Sequence, residues 1–203
     1  MKTFKQFFLE QQQKWVILLP GGYKPPTKGH KYLIESYNNN PSVDAVIVLI
    51  GPEERDGITR EQSRKIFDLY GISNLDKVII EDTKFPSPMT AAFDFVEKDD
   101  RALKYKGKYF GLGASNKPDD KGVPDSKRCE IFNNYFTKNP SKLREGLHVG
   151  VPPIIDTLSN DNNVAVSATK LRQAIQNSDT AQIKQYIPDD VSAEEFLKVI
   201  KGV

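Results

Sequence analysis

Short apolar runs that alternate with helical segments constrain the fold of this chain more than any other feature. The runs begin at Trp15, Val43, Lys77, Tyr109 and Leu147. Each is too short for a helix, while the segments between them place apolar residues at helical spacing. Strands that alternate with helices predict βαβ units and a parallel sheet with helices on both faces. The sequence therefore predicts a Rossmann-like, doubly wound α/β fold with a sheet of about five strands.

The length of the chain fits one domain of this kind. With 203 residues it can bury a sizeable core, and no linker or internal repeat divides it. We assign residues 15–203 to a single α/β domain and residues 1–14 to an N-terminal amphipathic helix. Phe4, Phe7 and Phe8 lie at helical spacing in that helix. It either packs on its own domain or docks on a partner or a membrane surface.

Charge and cysteine content limit the partners and the compartment. The 29 Lys and Arg residues nearly balance the 27 Asp and Glu residues, so a protein that binds a long nucleic acid by its charge is not expected. No apolar run approaches the roughly 18 residues of a membrane span, and the start of the chain lacks the apolar core of a signal peptide. The single cysteine, Cys129, favours a reducing, cytoplasmic location. A homo-oligomer is compatible with these features.

The segment between the first predicted strand and the first helix has the properties of an anion site. Gly21 and Gly22 allow a ligand to approach the backbone closely, and a helix begins near Lys28 with unpaired N–H groups. His30, in the first turn of that helix, is placed to donate a hydrogen bond to a phosphate oxygen. The pattern is not that of a P-loop. Without a second element, an ordinary glycine turn and a surface histidine would explain it as well.

A second helix start near the end of the chain supplies that element. Ser167 is placed to cap a helix, with Thr169 and Arg172 in its first turns. Two hydroxyls, exposed backbone N–H groups and a guanidinium can together hold a triphosphate. The alternative is a capping serine and a solvated arginine.

These two segments resemble the two signatures of the nucleotidyltransferase superfamily of adenylyl- and cytidylyltransferases. Residues 21–30 resemble the pattern G-x-F-x-P-x-(H/T)-x-G-H, with Tyr23 in place of Phe. Residues 166–172 resemble I-S-(S/A)-T-x-(I/L)-R. The signatures stand in the expected order near the two ends of one α/β domain, and the resemblance covers nearly the whole chain.

The resemblance implies an enzyme that transfers a nucleotidyl group from a nucleoside triphosphate to a phosphorylated small-molecule acceptor and releases pyrophosphate. It implies that Mg²⁺ arrives with the nucleotide, so we expect no resident metal site. The residues that it places in catalysis are His30, Thr27 and Arg172. Those that it places at the nucleotide are Gly21, Gly22, Tyr23, Gly29, His30, Gly111, Gly113, Ser167, Thr169 and Arg172. Candidate phosphate contacts are Lys24 and Arg64.

Departures from the family patterns leave some choices open. Lys24 stands where many relatives have Asp, Asn or Gln, and it either contacts a phosphate or is simply exposed. Ser115 replaces the usual Asp near the base. ATP is favoured because the Arg-Thr-x-Gly-Ile-Ser run of cytidylyltransferases is missing before Ser167. The second signature looks most like that of the nicotinamide mononucleotide adenylyltransferase branch. The first signature, with Thr27, is instead similar to that of the phosphopantetheine branch. A cytidylyltransferase using CTP and a non-catalytic nucleotide-binding module remain alternatives.

Overall fold

A computed structural model describes residues 13–115, 126–155 and 167–202 of the chain. The N-terminal amphipathic helix predicted for residues 1–14 falls almost entirely outside this range. A short strand predicted over residues 164–166 also lies outside the described residues.

The described strands form one parallel sheet. The strands are β1 (Trp15–Gly21), β2 (Val43–Ile50), β3 (Val78–Asp82), β4 (Tyr109–Leu112) and β5 (His148–Val149). Their order in the sheet is β3-β2-β1-β4-β5, and each neighbouring pair is parallel. The predicted Rossmann-like, doubly wound α/β fold is confirmed.

Helices connect the strands and follow the last of them. They are α1 (Lys28–Asn38), α2 (Arg60–Leu69), α3 (Pro88–Glu97), α4 (Ser126–Lys138), α5 (Ala168–Gln176), α6 (Thr180–Tyr186) and α7 (Ala193–Lys201). Short 3₁₀ helices lie at Ile72–Asn74, Asp100–Tyr105 and Pro140–Lys142. Thr59 and Ser192 begin α2 and α7 with capping boxes, in which the side chains of the first and fourth residues each accept a hydrogen bond from the other residue's backbone N–H.

Both faces of the sheet are buried because side chains alternate along each strand. Ile17 and Leu19 of β1 belong to a core that α1, α2, α5, α6 and α7 cover. Val16 and Leu18 belong to the opposite core, under α3 and α4. The near-continuous apolar sequence of β1 is the signature of such a doubly covered strand.

The strand order determines where a ligand can bind. After β1 the chain builds outward through β2 and β3, and it then returns to the other side of β1 to add β4 and β5. In open α/β sheets, ligands bind outside the carboxyl ends of the strands beside such a reversal, which here are β1 and β4. Because β1 and β4 are parallel neighbours, the loop that follows Gly21 and the residues that follow Leu112 lie at this edge of the sheet.

Gly113, one residue beyond β4, is explained by packing inside the protein. A Cβ atom at this position would meet the Leu19 side chain and lie 2.8 Å from Ile17 Cγ2 and 2.9 Å from Tyr37 Cε2. We expect Gly113→Ala to lower the free energy of unfolding by about 1–3 kcal/mol, the usual effect of overpacking a core. Thermal and urea unfolding would measure the loss.

Gly22 provides the matched control for that substitution. A Cβ atom there would have open space, because its nearest neighbour is Arg55 Cζ at 4.0 Å. Gly22→Ala should therefore unfold close to the wild type. A similar loss of stability in both variants would contradict the packing explanation for Gly113.

Candidate functional site

The loop between β1 and α1 follows the carboxyl end of the middle strand of the sheet, and most of it is buried. Residues 23–27 are all buried. Tyr23 adopts a positive φ of 52° and donates a hydrogen bond from its hydroxyl to Leu19 O at 2.7 Å. Its ring packs edge-on against Phe67 and His30. The aromatic residue at this position thus holds the loop against α2 and α1.

The carbonyl groups of this loop are held by partners from other elements. Four of the five donors lie outside the loop, in the segment after β2, in α2, in the residue after α2 and in α5. The fifth donor is the Lys24 side chain. The bonds are Gly51 N to Gly21 O (3.0 Å), Lys24 Nζ to Gly22 O (2.8 Å), Ser63 Oγ to Tyr23 O (2.6 Å), Arg172 Nη1 to Lys24 O (3.0 Å) and Tyr70 Oη to Pro26 O (3.2 Å).

This pairing fixes the direction of the loop's amide groups. The peptide bonds from Gly21 to Lys24 are trans, so each N–H points away from the carbonyl of the same peptide plane. With the carbonyls of Gly21, Gly22 and Tyr23 held by the protein, the N–H groups of Gly22, Tyr23 and Lys24 point in the opposite directions. Backbone N–H groups in loops of this kind commonly bind anions, so these three groups are candidates for a phosphate site.

Thr27 and His30 form the start of α1 together. The Thr27 backbone N–H donates to His30 Nδ1 at 3.0 Å, and Thr27 Oγ1 lies 3.0 Å from the same nitrogen. Because Nδ1 accepts a hydrogen bond, the neutral imidazole carries its proton on Nε2. His30 therefore presents a donor at the helix N-terminus. Gly29 lies in the same first turn, where backbone N–H groups have no acceptor within the helix.

The second predicted segment contacts the first. Ser167 caps α5 by accepting from Lys170 N at 3.4 Å, as the sequence predicts. Arg172 lies one turn further along and donates from Nη1 to Lys24 O at 3.0 Å and from Nη2 to Thr169 Oγ1 at 3.2 Å. Its Nε is paired with Asp56 Oδ2. Residues 148 positions apart thus meet at one edge of the sheet.

Lys24 is buried, so the alternative that it is simply exposed is wrong. Only 2% of the residue is accessible to solvent. Its ammonium donates to Gly22 O at 2.8 Å and to Gly51 O at 3.3 Å, which joins the carboxyl ends of β1 and β2. Burial, together with the charges of Arg60 and Arg55, lowers the pKa of Lys24 to about 8, against a smaller opposing effect of Asp82.

The Arg64 side chain is hydrogen-bonded to residues of β3. Its guanidinium donates to Asp82 Oδ1 at 2.9 Å and to Ile80 O at 3.2 Å. The neighbouring Arg60 donates to Gly51 O and Thr83 O and also lies 3.5 Å from Asp82. Arg60 therefore joins the ends of β2 and β3, while Arg64 is anchored on the outer strand.

Gly111 and Gly113 lie beside β1 and have structural reasons to be glycine. Gly113 N donates to Leu18 O at 2.9 Å. A Cβ atom on Gly111 would lie 2.6 Å from Pro152 Cδ and 3.1 Å from Gly150 O. Nearby, Tyr37 Oη accepts from Ala114 N and donates to Pro153 O, which fixes the exit of β4. Close packing alone accounts for both glycines.

Several residues that shape the site were not identified from the sequence. Ser63 and Tyr70 hold loop carbonyls from α2 and the residue after it, and Asp56 pairs with Arg172. Ser63 and Tyr70 look like ordinary helix positions, because only tertiary packing brings α2 against the loop. Asp56 belongs to an exposed turn, in which Asp56 and Gly57 both have positive φ and Arg55 is bridged to Ile58.

Comparisons with known proteins agree with this fold. No protein-family model and no curated protein sequence matches the chain. Among solved structures, Plasmodium falciparum nicotinic acid mononucleotide adenylyltransferase complexed with APC is similar with a TM-score of 0.55 and 17% identity, covering 94% of this chain and 96% of that one. A bifunctional NMN adenylyltransferase/ADP ribose pyrophosphatase from Francisella tularensis, complexed with AMP and a Mn ion, is similar with a TM-score of 0.54 and 17% identity. This chain spans 52% of that protein's length. At this identity the likeness establishes a shared fold.

The described part of the chain contains neither a cluster of metal-binding side chains nor a helix that could span a membrane. Across residues 13–115, 126–155 and 167–202, no group of three or more His, Cys, Asp or Glu side chains is arranged to hold a metal ion. Within the same ranges, no helix combines the length and apolar character that crossing a membrane requires.

Proposed function

We propose that this chain is a nucleotidyltransferase, and specifically an adenylyltransferase that moves AMP from ATP to a phosphorylated small-molecule acceptor. A phosphate oxygen of the acceptor attacks the α-phosphorus of ATP. The bond from that phosphorus to the oxygen bridging to the β-phosphate breaks, and pyrophosphate leaves. The reaction needs no protein nucleophile, so the protein contributes positioning and stabilisation of charge.

One contact supports this proposal most directly: Arg172 Nη1 donates to Lys24 O at 3.0 Å. It brings the helix start at Ser167 and the loop at Gly21 to one place, as binding of a single triphosphate by both segments requires. Both solved structures described above are adenylyltransferases by name, which favours ATP over CTP. The match at 94% coverage of this chain favours the same class of reaction.

We assign the following roles on this basis. The loop amides from Gly22 to Lys24 and the Nε2 proton of His30 bind the α- and β-phosphates, where negative charge develops. Thr27 orients His30 through the hydrogen bond from its backbone N–H. Ser167, Thr169 and Arg172 bind the β- and γ-phosphates.

The residues around the loop fit a divalent cation that arrives with the nucleotide. The nearby carboxylates, Asp56 and Asp82, are paired with arginines. Mg²⁺ ordinarily keeps several waters and binds mainly to substrate phosphates in such sites. When bound, it would neutralise phosphate charge and assist the departure of pyrophosphate.

The decisive experiment measures turnover. The protein is incubated with Mg²⁺, each of the four nucleoside triphosphates and a panel of phosphorylated acceptors, and pyrophosphate is followed together with the adenylylated product. Pyrophosphate formed only with ATP and one class of acceptor would support the proposal. Preference for CTP would indicate a cytidylyltransferase. Tight ATP binding with no turnover on any acceptor would instead indicate a nucleotide-binding module.

The ion pair between Arg172 and Asp56 leads to a separate prediction. A triphosphate that binds Arg172 must compete with the Asp56 carboxylate, which is 47% exposed. We expect Asp56→Asn to strengthen ATP binding by about 2- to 5-fold at low salt, the range of a partly exposed ion pair. Calorimetric titration at two ionic strengths would measure the gain, which should shrink as salt screens the pair.

Glu54→Gln is the matched control for that variant. Glu54 lies in the same exposed turn and its substitution removes the same charge. An equal gain in affinity for Glu54→Gln would mean that overall charge, and not release of Arg172, strengthens binding. No gain in Asp56→Asn would mean that the nucleotide does not compete with this carboxylate.

A further inference from the structure

Lys24 is a buried cation with no carboxylate partner among the described residues. Its neighbours of opposite charge are already engaged, since Asp82 pairs with Arg60 and Arg64, and Asp56 pairs with Arg172. Two backbone carbonyls accept its hydrogen bonds. A buried charge is costly unless an opposite charge compensates it. The compensating charge is therefore expected from outside the protein.

The Lys24 ammonium also holds the backbone of the loop between β1 and α1. By holding Gly22 O at 2.8 Å, it sets the plane of the peptide that carries the Tyr23 N–H. By holding Gly51 O at 3.3 Å, it ties this peptide to the end of β2. The backbone of the same residue is held by Arg172. Lys24 thus connects the two segments to which we assign the triphosphate.

We propose that Lys24 is a positioning residue whose buried positive charge fixes the Gly22 peptide and compensates the phosphates of the bound nucleotide from beneath the loop. The inference rests on the proposed function and deepens it, because it makes triphosphate binding depend on a proton. The charged groups around the ammonium are Arg55 in the turn after β2, Arg60 on α2, Asp82 at the end of β3, and Arg172 on α5 with its partner Asp56. Arginine side chains in general do not lose their proton in proteins.

The sign of the effect follows from the pKa of Lys24. Its pKa is about 8 in the ligand-free protein, and a bound polyanion raises it by favouring the protonated form. Nucleotide binding must then take up protons, up to about half a proton per site at pH 8. Above pH 8 the apparent affinity falls as the ligand-free protein loses the proton.

The experiment compares ATP binding from pH 7.5 to 9.5, where the phosphates of free ATP are fully ionised. For the wild type, we expect the dissociation constant to rise by several-fold between pH 7.5 and pH 9.5, toward a limit about tenfold above its value with Lys24 fully protonated. Calorimetry at pH 8 in two buffers with different ionisation enthalpies should detect the proton uptake without any substitution. This second measurement keeps the test valid even if a variant folds poorly.

Two variants and a control complete the design. Lys24→Met keeps the length of the side chain without the charge, so it should bind ATP about tenfold more weakly at pH 7.5 and show no pH dependence. Lys24→Arg keeps the charge at every pH and should hold its affinity to pH 9.5. Lys65→Met removes an exposed lysine that pairs with Glu61 on α2, and it should follow the wild type.

The outcomes separate this inference from the function on which it rests. Wild-type binding that is flat with pH, without proton uptake, would overturn the role of Lys24 and leave the nucleotide site standing. A parallel fall with pH in Lys24→Met and the wild type would also overturn it. Absence of ATP binding at pH 7.5 in the wild type would overturn both proposals.

Discussion

Replacement of His30 by Ala is expected to lower turnover by about 10²- to 10³-fold, the loss typical of one preorganised donor to a developing negative charge. The imidazole is oriented by the Thr27 N–H at its Nδ1, which leaves Nε2 as the protonated nitrogen. The measurement is steady-state turnover with the acceptor identified by the pyrophosphate assay. The effect should fall on kcat, because the bond strengthens as charge builds on the phosphate.

Stability must be separated from catalysis in this variant, because His30 also helps to cap α1. Loss of the cap should cost about 0.5–2 kcal/mol, which most domains tolerate. His30→Glu restores an acceptor for the Thr27 N–H but supplies no donor. It should therefore recover the melting temperature while turnover stays low. Recovery of turnover in His30→Glu would show that capping, and not hydrogen-bond donation, is the role of this residue.

His148→Ala is a matched control for the chemistry. His148 is the other histidine of the chain, and it stacks on Tyr109 at the far edge of the sheet. Its removal should leave turnover within about twofold of the wild type, as expected for an exposed position away from the site. Unchanged turnover in His30→Ala would refute the role that we assign to His30.

Replacement of Arg172 by Ala is expected to weaken ATP binding by about 10- to 100-fold. A guanidinium forms charge-assisted hydrogen bonds with phosphate that contribute roughly 1.5–3 kcal/mol each. Binding of AMP should change much less, because we assign Arg172 to the β- and γ-phosphates. Calorimetric titration of ATP and AMP into the wild type and the variant would measure the difference.

Equal losses for ATP and AMP would indicate a different role. Arg172 also holds Lys24 O and pairs with Asp56, so its removal could loosen the whole loop and weaken every nucleotide alike. Lys170→Ala provides a control on the same helix, because its side chain is exposed two residues away. It should retain both affinities within about threefold, as exposed substitutions usually do.

The arrangement of strands and helices could be predicted from local sequence. Each strand is a short apolar run and each helix has an apolar stripe, so the type and order of the elements depend on residues close in the chain. The first strand, predicted over residues 15–19, extends to Gly21. The N-terminal helix of residues 1–14 and the single-domain assignment of residues 15–203 remain predictions.

The candidate site was predicted only in part. The resemblance to two signatures identified His30, Ser167 and Arg172, and local physics explains Ser167 as a helix cap. Spacing in the sequence gave no indication of Ser63, Tyr70 or Asp56. Ser63 and Tyr70 act on the loop, and Asp56 acts on Arg172, across large sequence separations, such as the 40 positions between Ser63 and Tyr23.

The sequence by itself determined the alternation of strand and helix, the doubly buried central strand and the two helix starts, because these depend on periodicity and on backbone conformation within a few residues. Only the tertiary structure decided that Arg172 reaches the Lys24 carbonyl, that other elements hold the loop carbonyls, and that Lys24 is buried. Charge and hydrogen bonding act through space. The burial and charged neighbours of a lysine next to two prolines therefore cannot be predicted from its local sequence, because β2, α2 and α5 supply them.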